Sequence, residues 1–306
     1  MCCRYCDATA NIFNDKDGGV NIAYFGDDFF INCFYALRQY GHQISYIFVC
    51  AEEGYGDKLL ALANAENIPV RCDKIEAGFV DTIIYEKKIE CVFSAGYGRK
   101  INFDYDAVPS VNVHPTLLPM GRGPDAAAWV TLKYRDCAGI TFHKLNGTFD
   151  AGDILHQKAV VLEERDGWEM YMAKVQIEVA LALPELLENF SDAFTNATRQ
   201  ESGSHWPSIT IAERLIAWDM PQHKINSITK AFGRWGVIAL VGETLLVINE
   251  LELSAYSHDF PAGQRLNEDH YGYTIATREG IALLAKKNIL RTLGIEEAKS
   301  LGLIIG

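Results

Sequence analysis

Asn21-Ile22-Ala23-Tyr24-Phe25-Gly26-Asp27-Asp28 opens the stretch that decides the fold, and Phe29 to Gly41 and then Ile44 to Cys50 complete it. The five residues from Asn21 read as a buried strand, stopped by Gly-Asp-Asp. Phe30, Cys33, Phe34, Leu37 and Tyr40 then recur at helical spacing over 28–40. Gly41 follows as a glycine just past a helix end does, and Ile44 to Cys50 is a second apolar strand. The same alternation continues outward. A helical period spans Lys58 to Asn67, Val70-Arg71-Cys72 is a short extended piece, a helix lies around 78–88, and Cys91-Val92-Phe93-Ser94-Ala95 is again a buried strand. Short apolar strands alternating with helices predict an α/β fold, Rossmann-like, with a mostly parallel sheet and helices on both faces. Gly26-Asp27-Asp28 lacks the second and third glycines of a dinucleotide fingerprint, which weighs against a dinucleotide.

Downstream, Asn112-Val113-His114 runs into Pro115-Thr116-Leu117-Leu118-Pro119. Residues two apart on a strand share a face, and Pro115 cannot continue the ladder. Asn112 and His114 are thus expected together at a strand's carboxyl end, where open α/β sheets hold ligands. Asp150 follows in Thr148-Phe149-Asp150-Ala151-Gly152-Asp153. An amide, an imidazole and a carboxylate can stabilise an oxyanion, move a proton and orient the proton carrier. Met120 to Pro124 reads as a loop, Asp125 as the cap of a helix reaching about Tyr134, and Gly139 to Leu145 and Ile154 to Leu162 as strands. A long helix fits 166–190, and Thr195 to Ser204, small and polar, reads as a linker. Beyond it the pattern changes to a helix over Pro221 to Phe232 and hairpins at Ala239 to Ile248 and Tyr273 to Ala285, a small β-rich C-terminal domain. The division drawn is an N-terminal extension over 1–20, a catalytic domain over 21–200 and a C-terminal domain over 205–306.

The 306 residues carry 28 Lys and Arg against 40 Asp and Glu, a formal charge of −12. That balance argues against a broad grip on nucleic acid phosphates. No apolar run approaches the roughly 20 residues of a membrane span, and MCCRYCDATANIF lacks the form of a signal peptide. Cys50 and Cys91 sit in apolar runs and read as buried reduced thiols of a cytoplasmic protein. Cys3-x-x-Cys6 has no second pair or histidines at metal spacing, so no metal is expected. His143, His156, His205, His223, His258 and His270 show no metal-like grouping and are given no role.

Asn112-x-His114 with Leu117-Leu118-Pro119, Asp150-Ala151-Gly152-Asp153, and Ser94-Ala95-Gly96-Tyr97-Gly98-Arg99-Lys100-Ile101 together resemble the formyltransferases that use 10-formyltetrahydrofolate. The resemblance covers about 21–165 well. It reaches less firmly into 205–290, which look like the C-terminal barrel of methionyl-tRNA and aminoarabinose formyltransferases. It implies formyl transfer to an amine, with Asn112 donating to the developing oxyanion, His114 accepting the amine proton, and Asp150 orienting His114 or stabilising its imidazolium. Asp153 reads as a turn or surface residue. The implied folate contacts are Gly96, Tyr97, Gly98, Arg99, Ile101, Leu118, Asn146 and Gly147. One oxyanion donor is typically worth about 3–4 kcal/mol in the transition state.

The Gly139-Ile140-Thr141-Phe142-His143 strand and the Gly-Arg-Gly-Pro loop resemble sugar formyltransferases more than the tRNA enzyme, which, with the acidic charge, implies a nucleotide-linked amino sugar as acceptor. Methionyl-tRNA is the alternative, followed by a formyltetrahydrofolate hydrolase and a non-catalytic ligand-binding module. The sheet edges of the C-terminal hairpins suggest a homodimer.

Overall fold

The computed structural model describes residues 19–50 and 55–303. Cys2, Cys3, Cys6 and nearly all of the 1–20 extension lie outside the described residues. The chain divides into two compact units. One takes in 1–126, 136–161 and 172–206, and the other 127–135, 162–171 and 207–306. The second unit therefore gathers two short segments that composition alone had left inside 21–200.

The first unit is built on β1 (Asn21–Gly26), α1 (Ile31–Gln39), β2 (Gln43–Val49), α2 (Asp57–Ala65), β3 (Val70–Arg71), α3 (Phe79–Glu86), β4 (Cys91–Ala95) and β5 (Ser110–His114). Along the chain α4 (Ala126–Leu132) follows, all but its first residue counted with the second unit, and then β6 (Gly139–His143), β7 (Ile154–Ala159), α5 (Trp168–Glu188), which joins the first unit from Met172, and α6 (Phe190–Thr195). The sheet runs β3-β2-β1-β4-β5-β6-β7. Its first five strands are parallel, and β6 and β7 are antiparallel.

Consecutive strand residues face opposite ways, and β1 shows both faces covered. The Tyr24 ring meets Phe34 of α1 edge-on at 5.8 Å. Phe25 instead stacks on Phe48 at 4.1 Å and joins a cluster with Val80 and Ile83 of α3. Two-sided burial is why β1 and β4 are near-continuous apolar runs rather than alternating ones. Of the thiols expected inside, Cys91 is buried, while Cys50, at the end of the β2 run, is half-buried.

The segment 195–204 is not a linker. Thr198 and Ile154 exchange backbone hydrogen bonds of 2.8 Å in both directions, and the Ser204 amide donates to Pro119 O. Main-chain groups and the Gln200 and Ser204 side chains tie the segment to its neighbours, while Thr195, Asn196, Thr198 and Ser202 stay exposed.

The second unit holds α7 (Ile211–Arg214), α8 (Gln222–Phe232), β8 (Val237–Val241), β9 (Thr244–Ile248), β10 (Glu252–Ala255), β11 (Arg265–Glu268), β12 (Gly272–Thr277), β13 (Gly280–Ala285), β14 (Ile289–Thr292) and α9 (Ile295–Ser300). The strands form two antiparallel sheets, β10-β13-β12-β11 and β14-β9-β8. Thr210 caps α7 reciprocally with Glu213. Among the described residues no helix is long and apolar enough to cross a membrane.

Candidate active site

Ser94, Asn112 and His143 lie in one row across β4, β5 and β6, since Ser94 pairs with Asn112 and Asn112 with His143. Directly opposed residues of an antiparallel pair bring their side chains within contact. Asn112 Nδ2 is 3.0 Å from His143 Nε2. The other ring nitrogen of His143 lies 2.8 Å from Lys144 O. A carbonyl only accepts, so His143 Nδ1 carries the hydrogen, and Nε2 of the neutral ring accepts from the Asn112 amide. One of the two Asn112 amide hydrogens is thereby used and the other is left.

His114 stands two residues on, opposite Thr141. Its Nε2 is 2.8 Å from Gly121 O and its Nδ1 is 3.5 Å from Asp150 Oδ1. The same logic puts the hydrogen of neutral His114 on Nε2 and the basic lone pair on Nδ1. The tautomer is therefore fixed by the Gly121 carbonyl, and the Asp150 carboxylate stands at the nitrogen that gains the proton. Gly121 is itself held: its amide donates to Ser204 Oγ at 2.9 Å. A Cβ on Gly121 would fall 2.5 Å from the Trp206 ring.

Asp150 sits in the left-handed region at φ +54, which is uncommon for a residue other than glycine and most tolerated by Asp and Asn. Its Oδ2 accepts from the Gly123 amide at 3.0 Å, and Oδ1 is 3.6 Å from His143 Nε2. Burial raises the carboxyl's pKa. The His114 and His143 imidazoles and the Gly123 N–H outweigh that and hold it well below the usual carboxylate range. Burial keeps the His114 imidazole below its ordinary value, with the Asp150 charge and the Gly121 carbonyl pulling it up without reversing the shift. At neutral pH the pair is an ionised carboxylate beside a neutral imidazole. Asp153, the neighbouring carboxylate, is more exposed and lies 4.0 Å from Lys144 Nζ.

A small, partly open cleft lies beside these groups. Asn112, His143 and Asp150 line it, with Ser94, Tyr97, Arg99, Lys100, Ile101, Leu145, Asn146, Thr148 and Phe149. His114 is buried and is not among the lining residues. Of the eight residues given to the folate by resemblance, Tyr97, Arg99, Ile101 and Asn146 line the cleft and Gly96, Gly98, Leu118 and Gly147 do not. Gly96 instead backs on Asp27, whose carboxylate oxygen a Cβ would meet at 2.3 Å. Leu118 is buried, its amide donating to Thr141 Oγ1 and its carbonyl accepting from Gln157. His143, given no role from the sequence, is the addition to the site. Its place in a predicted strand was visible, but the antiparallel pairing with β5 that brings it to Asn112 was not. Among the described residues no group of three or more His, Cys, Asp or Glu is arranged to hold a metal ion.

Residues 75–187 match the family model described as Formyl transferase. The methionyl-tRNA formyltransferase of Caldicellulosiruptor saccharolyticus is 27% identical over 206 residues, which is 65% of this chain and 66% of that one. The chain thus spans just under two thirds of that relative's length. Among solved structures, a variant of HypX from Aquifex aeolicus superposes with a TM-score of 0.69 at 18% identity, over 93% of this chain and 49% of that one. WlaRD, a sugar 3N-formyl transferase solved with dTDP and 5-N-formyl-THF, gives 0.62 at 14% identity, over 90% and 99%. At those identities the superpositions speak for the fold. Over its matching segment and against its curated relatives, this chain is similar to formyltransferases.

Proposed function

We propose that this protein transfers a formyl group from 10-formyltetrahydrofolate to a primary amine, and that the amine belongs to a nucleotide-linked amino sugar. One observation carries the transfer chemistry. An amide with a hydrogen to spare and an ionised carboxylate line one cleft, and a neutral imidazole stands behind the carboxylate. The cleft suits a flat heterocycle: Tyr97, Ile101, Leu145 and Phe149 supply apolar faces, and Arg99, Asn112 and Asn146 supply polar groups.

In this reading Asn112 gives its remaining N–H to the formyl oxygen as negative charge grows there, with His143 fixing the amide's orientation. The attacking amine loses its proton toward Asp150, which borders the cleft, and His114 Nδ1 behind it accepts that proton. The imidazolium then faces the carboxylate, which stabilises it while Gly121 keeps Nε2–H engaged. The tetrahedral intermediate then collapses: the bond from the formyl carbon to folate N10 breaks, N10 takes the proton from His114 by way of Asp150, and the formylated amine and tetrahydrofolate leave with the imidazole neutral again, so no covalent bond to the protein is needed.

The sugar acceptor is supported by the −12 charge and by the fold shared with a sugar formyltransferase over 90% of the chain. The curated relative at 27% identity acts on methionyl-tRNA by its name, and this keeps that acceptor as the second reading.

The test is to incubate the protein with formylfolate and a panel of nucleotide-linked amino sugars and look for a gain of one formyl mass. Asn112→Ala and His114→Ala should each lower the rate by about 10²–10³ or more while melting near the native temperature. Formylation of charged tRNA but of no sugar would move the acceptor to the second reading. Release of formate without an acceptor would make the protein a hydrolase. Near-native rates in both variants would overturn the site.

A further inference from the structure

One side chain outside the catalytic strands holds the loops of this site together. The Gln200 carboxamide is fully engaged. Its Oε1 accepts from Arg122 Nε at 3.0 Å and Nη2 at 2.8 Å, and its Nε2 donates to Asp150 O at 2.9 Å and Gly152 O at 2.6 Å. The two segments it ties are those that present groups to His114 and to Asp150. The 120–123 loop contributes the Gly121 carbonyl and the Gly123 N–H, and the 150–152 turn contributes the carboxylate.

We propose that Gln200 is a positioning residue, whose amide sets where the Asp150 carboxylate stands relative to His114 Nδ1. This rests on the reading of Asp150 and His114 as the pair that handles the proton.

The backbone gives the reason. Asp150 occupies a left-handed conformation that non-glycine residues hold only when their surroundings fix it. The partners that fix it come from Gln200 on the carbonyl side and Gly123 on the carboxylate side. The segment carrying Gln200 is anchored on both flanks, at Thr198 to Ile154 and at Ser204 and Trp206 to the 119–122 loop. Gln200 therefore acts from a fixed base and not as a surface side chain that found partners. Two requirements select glutamine here: an acceptor for a guanidinium and a two-hydrogen donor for two carbonyls, on one group. Glutamate supplies the first and not the second. Asparagine supplies both but ends one methylene short.

Gln200→Met removes the hydrogen bonds at nearly constant volume, and Gln200→Asn keeps a polar amide should the methionine variant fold poorly. The readout is the titration of His114, followed by NMR of its ring in the full chain without substrate. It is measured in native protein, in each Gln200 variant, in Asp150→Asn and in the doubles. Loosening Asp150 takes its charge away from Nδ1, so the His114 midpoint should fall toward that of Asp150→Asn. In the Asp150→Asn background the Gln200 changes should shift it no further. The acid limb of kcat should move in the same direction, with kcat reduced at least tenfold. A mere loss of folded protein would lower the rate and leave the midpoint where it was. A native midpoint in both Gln200 variants, or an equal shift with and without the carboxylate, overturns the proposal. Failure of the formyl-transfer reading would appear separately, as native protein that transfers no formyl group while the His114 titration still responds to Gln200.

Discussion

At the scale of single residues, the site depends on which nitrogen of His114 is basic. The Gly121 carbonyl takes the Nε2 hydrogen, so in the proposed mechanism Nδ1 is the proton acceptor, with Asp150 as its immediate neighbour. Burial lowers the His114 pKa and Asp150 raises it, with burial the larger. The acid limb of kcat should then fall below the ordinary histidine value of about 6.5. Asp150→Asn removes the upward pull, so its limb should move to still lower pH as its maximal rate drops. A full pH–kcat series on both proteins checks this. A native limb above 6.5, or one that Asp150→Asn leaves in place or raises, would show that another group titrates. The trio was legible in the sequence because its members sit in segments with strong punctuation, Pro115 after the strand and Gly152 after the turn. His143 and Gln200 were not. Their contributions come from a cross-strand pairing and a loop docking 31 and 50 residues from their partners Asn112 and Asp150, and spacing along the chain encodes neither.

At the scale of elements, the end of β1 carries a second, half-buried carboxyl. Asp27 accepts from the Phe29 amide at 3.0 Å and caps the turn 28–30, pressed against Gly96 at the end of β4. Burial pushes its pKa up to about 8, against the opposing hydrogen bonds of the Phe29 and Phe30 amides. The sign of the stability effect follows. Between the unfolded value near 3.9 and about 8 the folded state holds a proton that the unfolded state has lost, so stability falls as pH rises through that window. Asp27→Asn keeps an N-capping oxygen without the charge. It should melt above native protein at pH 8 and converge with it toward pH 4, in thermal melts at matched ionic strength. A variant that melts below native by the same amount at both pH values would show that Asp27 works as an ionised cap. The strands and helices from 21 to 95 were readable because burial on both faces writes long apolar runs. The reversal at β6 and β7 was not readable, since an antiparallel edge on a parallel sheet leaves the same apolar signature in each strand. The docking of 195–204 was not readable because it rests mainly on main-chain hydrogen bonds, which leave its side chains polar and largely exposed.

At the scale of the whole molecule, charge bears most on the acceptor. A protein that grips tRNA neutralises several phosphates with Lys and Arg, and its binding then falls steeply with salt. This chain carries 12 more acidic than basic side chains. Cations that the sequence does hold are partly engaged by acids of their own, as Arg234 by Glu169 and Arg291 by Glu297. The expected outcome is binding of charged tRNA no tighter than the non-specific range, about 10⁻⁴–10⁻⁶ M at physiological salt. Formyl transfer to a nucleotide-linked amino sugar should change little between 50 and 200 mM salt, about the range over which several phosphate contacts would cost orders of magnitude. Both curves can be measured on one preparation, by titrating labelled methionyl-tRNA and by following the formylated sugar across the same salt series. A sub-micromolar tRNA complex whose affinity collapses with salt would mean that a local basic patch outweighs the net charge, and would assign the acceptor to tRNA.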